Sequence, residues 1–129
     1  MRIDEPKIIQ EVGLDFKWDN QKVWQLDLPT SWIDISELEW HFDIPFLDWG
    51  GEWYNLKPRE VINRPGDYQA EYYRTLQVDS IYPIDIMKNK GRYFILDGLH
   101  RLMKAAIEGK SKVPVRIISR DLIPKIIKT

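Results

Sequence analysis

Four residues within five positions, Asp97, Gly98, His100 and Arg101, bring together a carboxylate, a backbone free of Cβ, an imidazole and a guanidinium. The apolar run Tyr93-Phe94-Ile95-Leu96 precedes them, and Leu99, Leu102, Met103, Ala106 and Ile107 follow at helical spacing. That pattern predicts a buried strand turning sharply into a helix, with the four residues at the turn. A helix start leaves several backbone N–H groups unpaired and carries the positive end of the helix dipole. A phosphate or a carboxylate is the ligand suited to such a place. Gly98 lets the backbone approach a ligand oxygen, Arg101 can grip two oxygens through its fork, and His100 adds a third donor. Asp97 can hold a metal ion, accept a proton, orient Arg101 or simply cap the helix.

The elements that must position this turn lie on either side of it. Residues 81–87 read as a strand with Pro83 at its start or on an edge. Lys88-Asn89-Lys90-Gly91 reads as a tight turn and 92–96 as the returning strand, so the two form an antiparallel hairpin. The helix runs from 98 to about 108, with Gly109 as its left-handed stop. Residues 113–118 are a further strand, and 120–129 a tail that packs on the body through Leu122, Ile123, Ile126 and Ile127.

Upstream, Pro58 opens a helical turn over 58–63. Asp67 caps a helix running to about Gln77, whose core face is Tyr68, Tyr72, Thr75 and Leu76. Arg64, Glu71 and Arg74 fall nearer the edges of that face. Val23–Leu28 alternates as a strand would. Ser36-x-x-Glu39 has capping-box spacing for a short helix over 36–42. Residues 46–54 read as an irregular loop in which Gly50-Gly51 permits positive φ; the loop either is pinned at the surface by aromatics or covers a ligand. Residues 1–20 read as an arm with one short turn.

At 129 residues the length is that of one domain. The 43% apolar and 30% charged residues are those of a globular chain. A net charge of −1 argues against a general nucleic-acid binder but leaves room for one bound nucleotide. There is no cysteine, so disulfides, thiolate metal sites and Cys nucleophiles are excluded. Residues 1–13 mix both signs of charge without a long apolar run, so neither a signal peptide nor a membrane span is expected, and the expected compartment is the cytoplasm. All six tryptophans lie at or before Trp53. They are expected as core volume, each with one hydrogen bond, in preference to base stacking. His41-x-Asp43 is a metal-like pair, but a structural His41 is the expectation. A Mg²⁺ ion carried by a nucleotide and touched by Asp97 fits better than a site built from protein alone.

The run Ile95-Leu96-Asp97-Gly98-Leu99-His100-Arg101-Leu102, followed by Ala105-Ala106, Gly109 and Val113-Pro114-Val115, resembles the signature of the ParB/sulfiredoxin-like superfamily. Tyr82-Pro83-Ile84-Asp85-Ile86 is similar to the strand that commonly precedes it, and the likeness spans residues 76–118. Arg59, Arg64 and the helix over 67–77 stand in about the corresponding places. The resemblance implies an α/β (α+β) fold, a small domain over 1–129 whose mixed sheet holds a hairpin leading into a phosphate-binding helix start, with 1–20 as arm and 119–129 as tail. It also implies that Gly98, Leu99, His100 and Arg101 bind the phosphates of a nucleotide (ATP, ADP or CTP) with Mg²⁺.

Relatives in that superfamily include CTP-dependent DNA-segregation clamps, an ATP-dependent sulfinic acid reductase, free-serine kinases and proteins labelled nucleases. The reductase carries its catalytic Cys where this chain has Leu99, so that activity is excluded. The clamps continue into helix-turn-helix and dimerisation regions, whereas about ten residues follow the last strand here, so sequence-specific DNA is not an expected partner. What the resemblance leaves is a nucleotide-binding domain, as an enzyme a Mg²⁺-dependent phosphotransferase or NTPase acting on a small-molecule acceptor. The alternatives are a non-catalytic, nucleotide-regulated module contacting protein or DNA, and a nuclease. Asp97 is the candidate catalytic and Mg²⁺-touching residue. In the kinase branch a carboxylate of the first half acts as base, and Asp43, Asp48, Glu52 and Glu71 are its candidates.

Overall fold

A computed structural model describes residues 5–129; the first four residues of the expected arm lie outside the described residues. The chain is a mixed α+β fold with a four-stranded mixed sheet and a separate two-stranded one. Its helices are α1 (Lys7–Val12), α2 (Asn20–Trp24), α3 (Pro58–Asn63), α4 (Gln69–Gln77), α5 (Leu99–Ile107) and α6 (Ile123–Ile126). Its strands are β1 (Ser31–Asp34), β2 (Leu47–Trp49), β3 (Glu52–Leu56), β4 (Ile84–Asn89), β5 (Arg92–Asp97) and β6 (Lys112–Ile117). The main sheet has the order β1-β6-β4-β5. β4 and β5 form the expected antiparallel hairpin, β6 returns parallel to β4 after the α5 crossover, and β1 pairs antiparallel with β6.

Side chains alternate across a strand, and here that alternation feeds two cores. Ile84, Ile86, Ile95, Val113 and Val115 face one side, where Leu102 and Met103 of α5, Val61 of α3 and Leu38 complete a cluster. Met87, Phe94 and Leu96 face the other, with Ile118, Val12, Val23 of α2 and Ile126 of α6. The tail over 120–129 thus packs on the body as expected, closing the second core.

Several elements differ from expectation. Residues 23–28 are not a strand. Asp19 caps α2 by accepting the Gln21 N–H at 2.9 Å, and Val23 and Leu26, three residues apart, turn their apolar side chains into the second core. The same apolar spacing served a helical turn equally well. Over 36–42 no α-helix forms; two 3₁₀ turns (Ile35–Glu37 and Glu39–Asp43) follow each other around the fully buried Leu38, and Ser36 caps neither. Residues 47–56 are a hairpin rather than an irregular loop, with Gly50 and Gly51 both at positive φ (66° and 82°), the twist that suits a tight hairpin turn. Asp67 does not cap α4; it lies in a 3₁₀ turn and pairs with Arg64 at 2.7 Å. Of the predicted α4 face, Thr75 is fully buried and Tyr68 and Tyr72 pack on the first core, while Leu76 is exposed. The tryptophans divide: Trp18, Trp40 and Trp49 pack against the cores, but Trp24, Trp32 and Trp53 are exposed.

Candidate active site

β5 ends at Asp97, and Gly98 takes φ 118° before α5 begins at Leu99. An L side chain avoids that conformation. A Cβ on Gly98 would also lie 3.1 Å from Cγ2 and 3.2 Å from Cα of Ile84. The glycine is therefore demanded by the sharp turn and by its close packing on β4. Having no side chain, Gly98 caps none of the N–H groups that open α5. A cavity of about 310 Å³ opens at this helix start, lined by Asp97, Gly98, Leu99, His100 and Arg101, with Val78 at the end of α4 opposite. The structure thus brings every residue of the predicted turn to one cavity.

His100 Nε2 lies 3.1 Å from Glu71 Oε2 on α4, and both side chains are largely buried (22% and 11% exposed). With the Nε2 proton given to that carboxylate, Nδ1 is left as the free ring nitrogen. Glu71 is the one carboxylate of the four candidate bases that reaches this turn. Asp43 is held by Arg59 through two bonds of 2.6 and 3.1 Å, which keep its carboxyl below the usual range. Asp48 accepts the Tyr54 N–H within the β2–β3 hairpin, and Glu52 stands exposed on that hairpin. Sequence alone carried one signal for Glu71, its place in the first turn of α4 on the edge beside Tyr72 and Thr75.

Arg101 and Asp97 hold each other. Arg101 donates from one terminal nitrogen to Asp97 Oδ2 at 2.9 Å and from the other to the Pro83 carbonyl at 2.6 Å. Trp24 Nε1–H donates to the same Asp97 oxygen at 2.8 Å. So Asp97 does orient Arg101, one of the roles open to it, and keeps Oδ1 without a partner among the described residues. The tie from Trp24 was invisible in a stretch read as strand. Among the described residues no group of three or more His, Asp or Glu side chains could hold a metal ion.

His41, the other imidazole, is structural. It is 1% exposed, donates from Nδ1 to the Leu38 carbonyl at 2.7 Å and accepts the Ile95 N–H at Nε2 (3.1 Å). Burial pushes its pKa down to about 4, against the Leu38 bond that raises it and with the Arg92 charge that lowers it further. No family model matches this chain, and neither a curated protein nor a solved structure matches it.

Proposed function

We propose that the chain is a ParB/sulfiredoxin-like domain that binds the phosphates of a nucleotide at the start of α5. The observation that carries this reading is the cavity at an uncapped helix start, lined by Gly98, Leu99, His100 and Arg101. The free N–H groups and the helix dipole favour an anion there. Arg101 adds N–H donors beyond the two it gives to Asp97 and the Pro83 carbonyl, and His100 is held in the cavity by Glu71.

As an enzyme, such a site would transfer a phosphoryl group to a small acceptor or to water, mainly by positioning and charge neutralisation. Mg²⁺ bound with the nucleotide would supply further neutralisation, with Asp97 Oδ1 as its contact on the protein. His100, oriented through Nε2 by Glu71, would take the acceptor proton at Nδ1. A second reading, a nucleotide-regulated module without turnover, is favoured by one observation: Asp97, the carboxylate expected to act, is already engaged by Trp24 and Arg101.

Thermal unfolding with ATP, ADP or CTP, each with and without Mg²⁺, tests the site. Ligand at 100 times its Kd stabilises by about 2.7 kcal/mol, so the melting temperature should rise in the wild type. His100→Ala and Arg101→Ala should lose most of the rise. No rise with any nucleotide, or an equal rise in both variants, overturns the reading. Phosphate release then separates the enzyme from the module.

A further inference from the structure

A second and larger cavity, of about 680 Å³, shares Val78, Asp97 and Arg101 with the first. Trp24 and Tyr82, 57% and 59% exposed, form its aromatic walls, and Asp79, Asp85 and Asp97 line it with Arg116. Such volumes are those of small-molecule sites. Two arginines line it as well, but each is paired with a carboxylate of the same cavity, so three aspartates against two arginines leave the lining with one negative charge in excess. Arg116 gives Nε to Asp85 at 2.7 Å and its two terminal nitrogens to the carbonyls of Leu26 and Val23. Arg101 gives its terminal nitrogens to Asp97 and Pro83.

What the cavity offers in excess is therefore carboxylate acceptors. The Asp85 side chain is 97% buried, being 3% exposed, and uses only Oδ1 on Arg116. Its Oδ2 has no partner among the described residues. No fully buried side-chain oxygen among them lacks a hydrogen bond, so Oδ2 reaches the cavity. Burial raises the Asp85 carboxyl above its ordinary range, against the pull of Arg116. Asp97 Oδ1 is likewise free, and Asp79 accepts only the Ile81 N–H through Oδ1. The indole of Trp24, though exposed, is pinned by its bond to Asp97, so its ring is ordered in advance of any ligand.

We infer that this cavity binds an organic ammonium ion, its charge on the carboxylates of Asp85 and Asp79 and its carbon skeleton against Trp24 and Tyr82. Aromatic walls attract cations through their ring faces, and each unpaired carboxylate oxygen accepts an ammonium N–H. The same chemistry disfavours a ligand that carries its own carboxylate, because both guanidinium charges are already paired with Asp97 and Asp85. The site stands apart from the phosphate site in what it binds, and adjoins it through Asp97 and Arg101, which line both cavities.

Benzylamine, benzyl alcohol, benzoate and phenylglycine share one ring and differ in charge. The full chain is titrated with each, without nucleotide, by calorimetry and by following the Trp24 indole N–H resonance. Benzylamine should bind about ten-fold more tightly than benzyl alcohol. Phenylglycine should bind more weakly than benzylamine, benzoate should be weakest, and the indole resonance should move with benzylamine. Trp24→Phe and Asp79→Asn should each weaken benzylamine binding by at least about three-fold; Asp79 is exposed, so its variant leaves the fold intact. Absence of benzylamine binding, equal binding of amine and alcohol, a preference for benzoate or phenylglycine, or unchanged amine affinity in both variants overturns the inference. Because no nucleotide is present, failure of the phosphate reading leaves this outcome untouched.

Discussion

His41 shows how one buried residue sets a pH dependence. Its neutral ring satisfies two opposite demands, a donor to the Leu38 carbonyl and an acceptor for the Ile95 N–H. Protonation at Nε2 would set N–H against N–H inside the core. The folded pKa of about 4 lies below the ordinary 6.5, so between these values the unfolded chain binds a proton that the folded chain refuses. The associated stability is complete above pH 6.5 and is lost as pH falls toward 4, by about 3 kcal/mol in all. Urea unfolding across that range should show the slope, and His41→Gln should flatten it. A slope unchanged in the variant would assign it to other groups. At the turn, Gly98→Ala meets both the positive φ and the backbone of Ile84. A cost of about 1–3 kcal/mol is expected, with displaced amide resonances over Leu99 to Arg101. Unchanged unfolding midpoints would contradict that account. The glycine was legible from sequence because a strand and a helix met on either side of it. Its partner Ile84 was not, since only the fold brings β4 beneath the turn.

At the scale of elements, Arg116 joins three pieces of chain. From β6 it neutralises Asp85 on the neighbouring β4 and takes the carbonyls of Val23 and Leu26 where α2 ends. Arg116→Met keeps the length of the side chain but leaves a buried carboxylate without its partner. Breaking a buried pair this way costs about 3–5 kcal/mol. Chemical denaturation should show that loss, and hydrogen exchange of the α2 amides should quicken. Adding Asp85→Asn to that variant should recover part of it by removing the orphaned charge; no recovery would show that the carbonyl bonds carry the whole effect. This junction also explains the misread segment. Val23 to Leu28 has apolar residues that fit a strand or a helical turn, and the choice was made by Asp19 at its start and Arg116 at its end, 93 residues away from Val23. The hairpin of β4 and β5, by contrast, was legible because its turn signal Lys88-Asn89-Lys90-Gly91 and its apolar strands are contiguous in sequence, and Lys90 and Gly91 both adopt positive φ there. The β2–β3 hairpin has only three residues in its first strand, too few for alternation to stand out from its aromatics.

Across the whole molecule, the sheet separates two cores, and the two cavities sit where their elements meet at the ends of β4 and β5. The first core holds the α4–α5 side, with His100 and Glu71. The second holds the side on which Trp24 reaches Asp97. That second side depends on the last ten residues. Ile126 is fully buried against Val23, the Asp19 N–H donates to the Ile126 carbonyl at 2.8 Å, and Lys22 donates to the Ile127 carbonyl at 2.9 Å. Deleting 120–129 removes Leu122, Ile123 and Ile126, and a fully buried side chain of this size contributes about 1.5–3 kcal/mol. The loss should fall unevenly. Hydrogen exchange should quicken first in α2 and around Trp18, while the α5 amides over Leu102 and Met103, which rest on the first core, remain slow. The Trp24 indole resonance should lose the shift that its Asp97 bond imposes. Nucleotide-induced stabilisation should survive in part, since Gly98, His100 and Glu71 keep their supports, whereas benzylamine binding should fall with Trp24. Equal quickening of α2 and α5 would instead show that the two cores open as one unit, and both ligands would then be lost together.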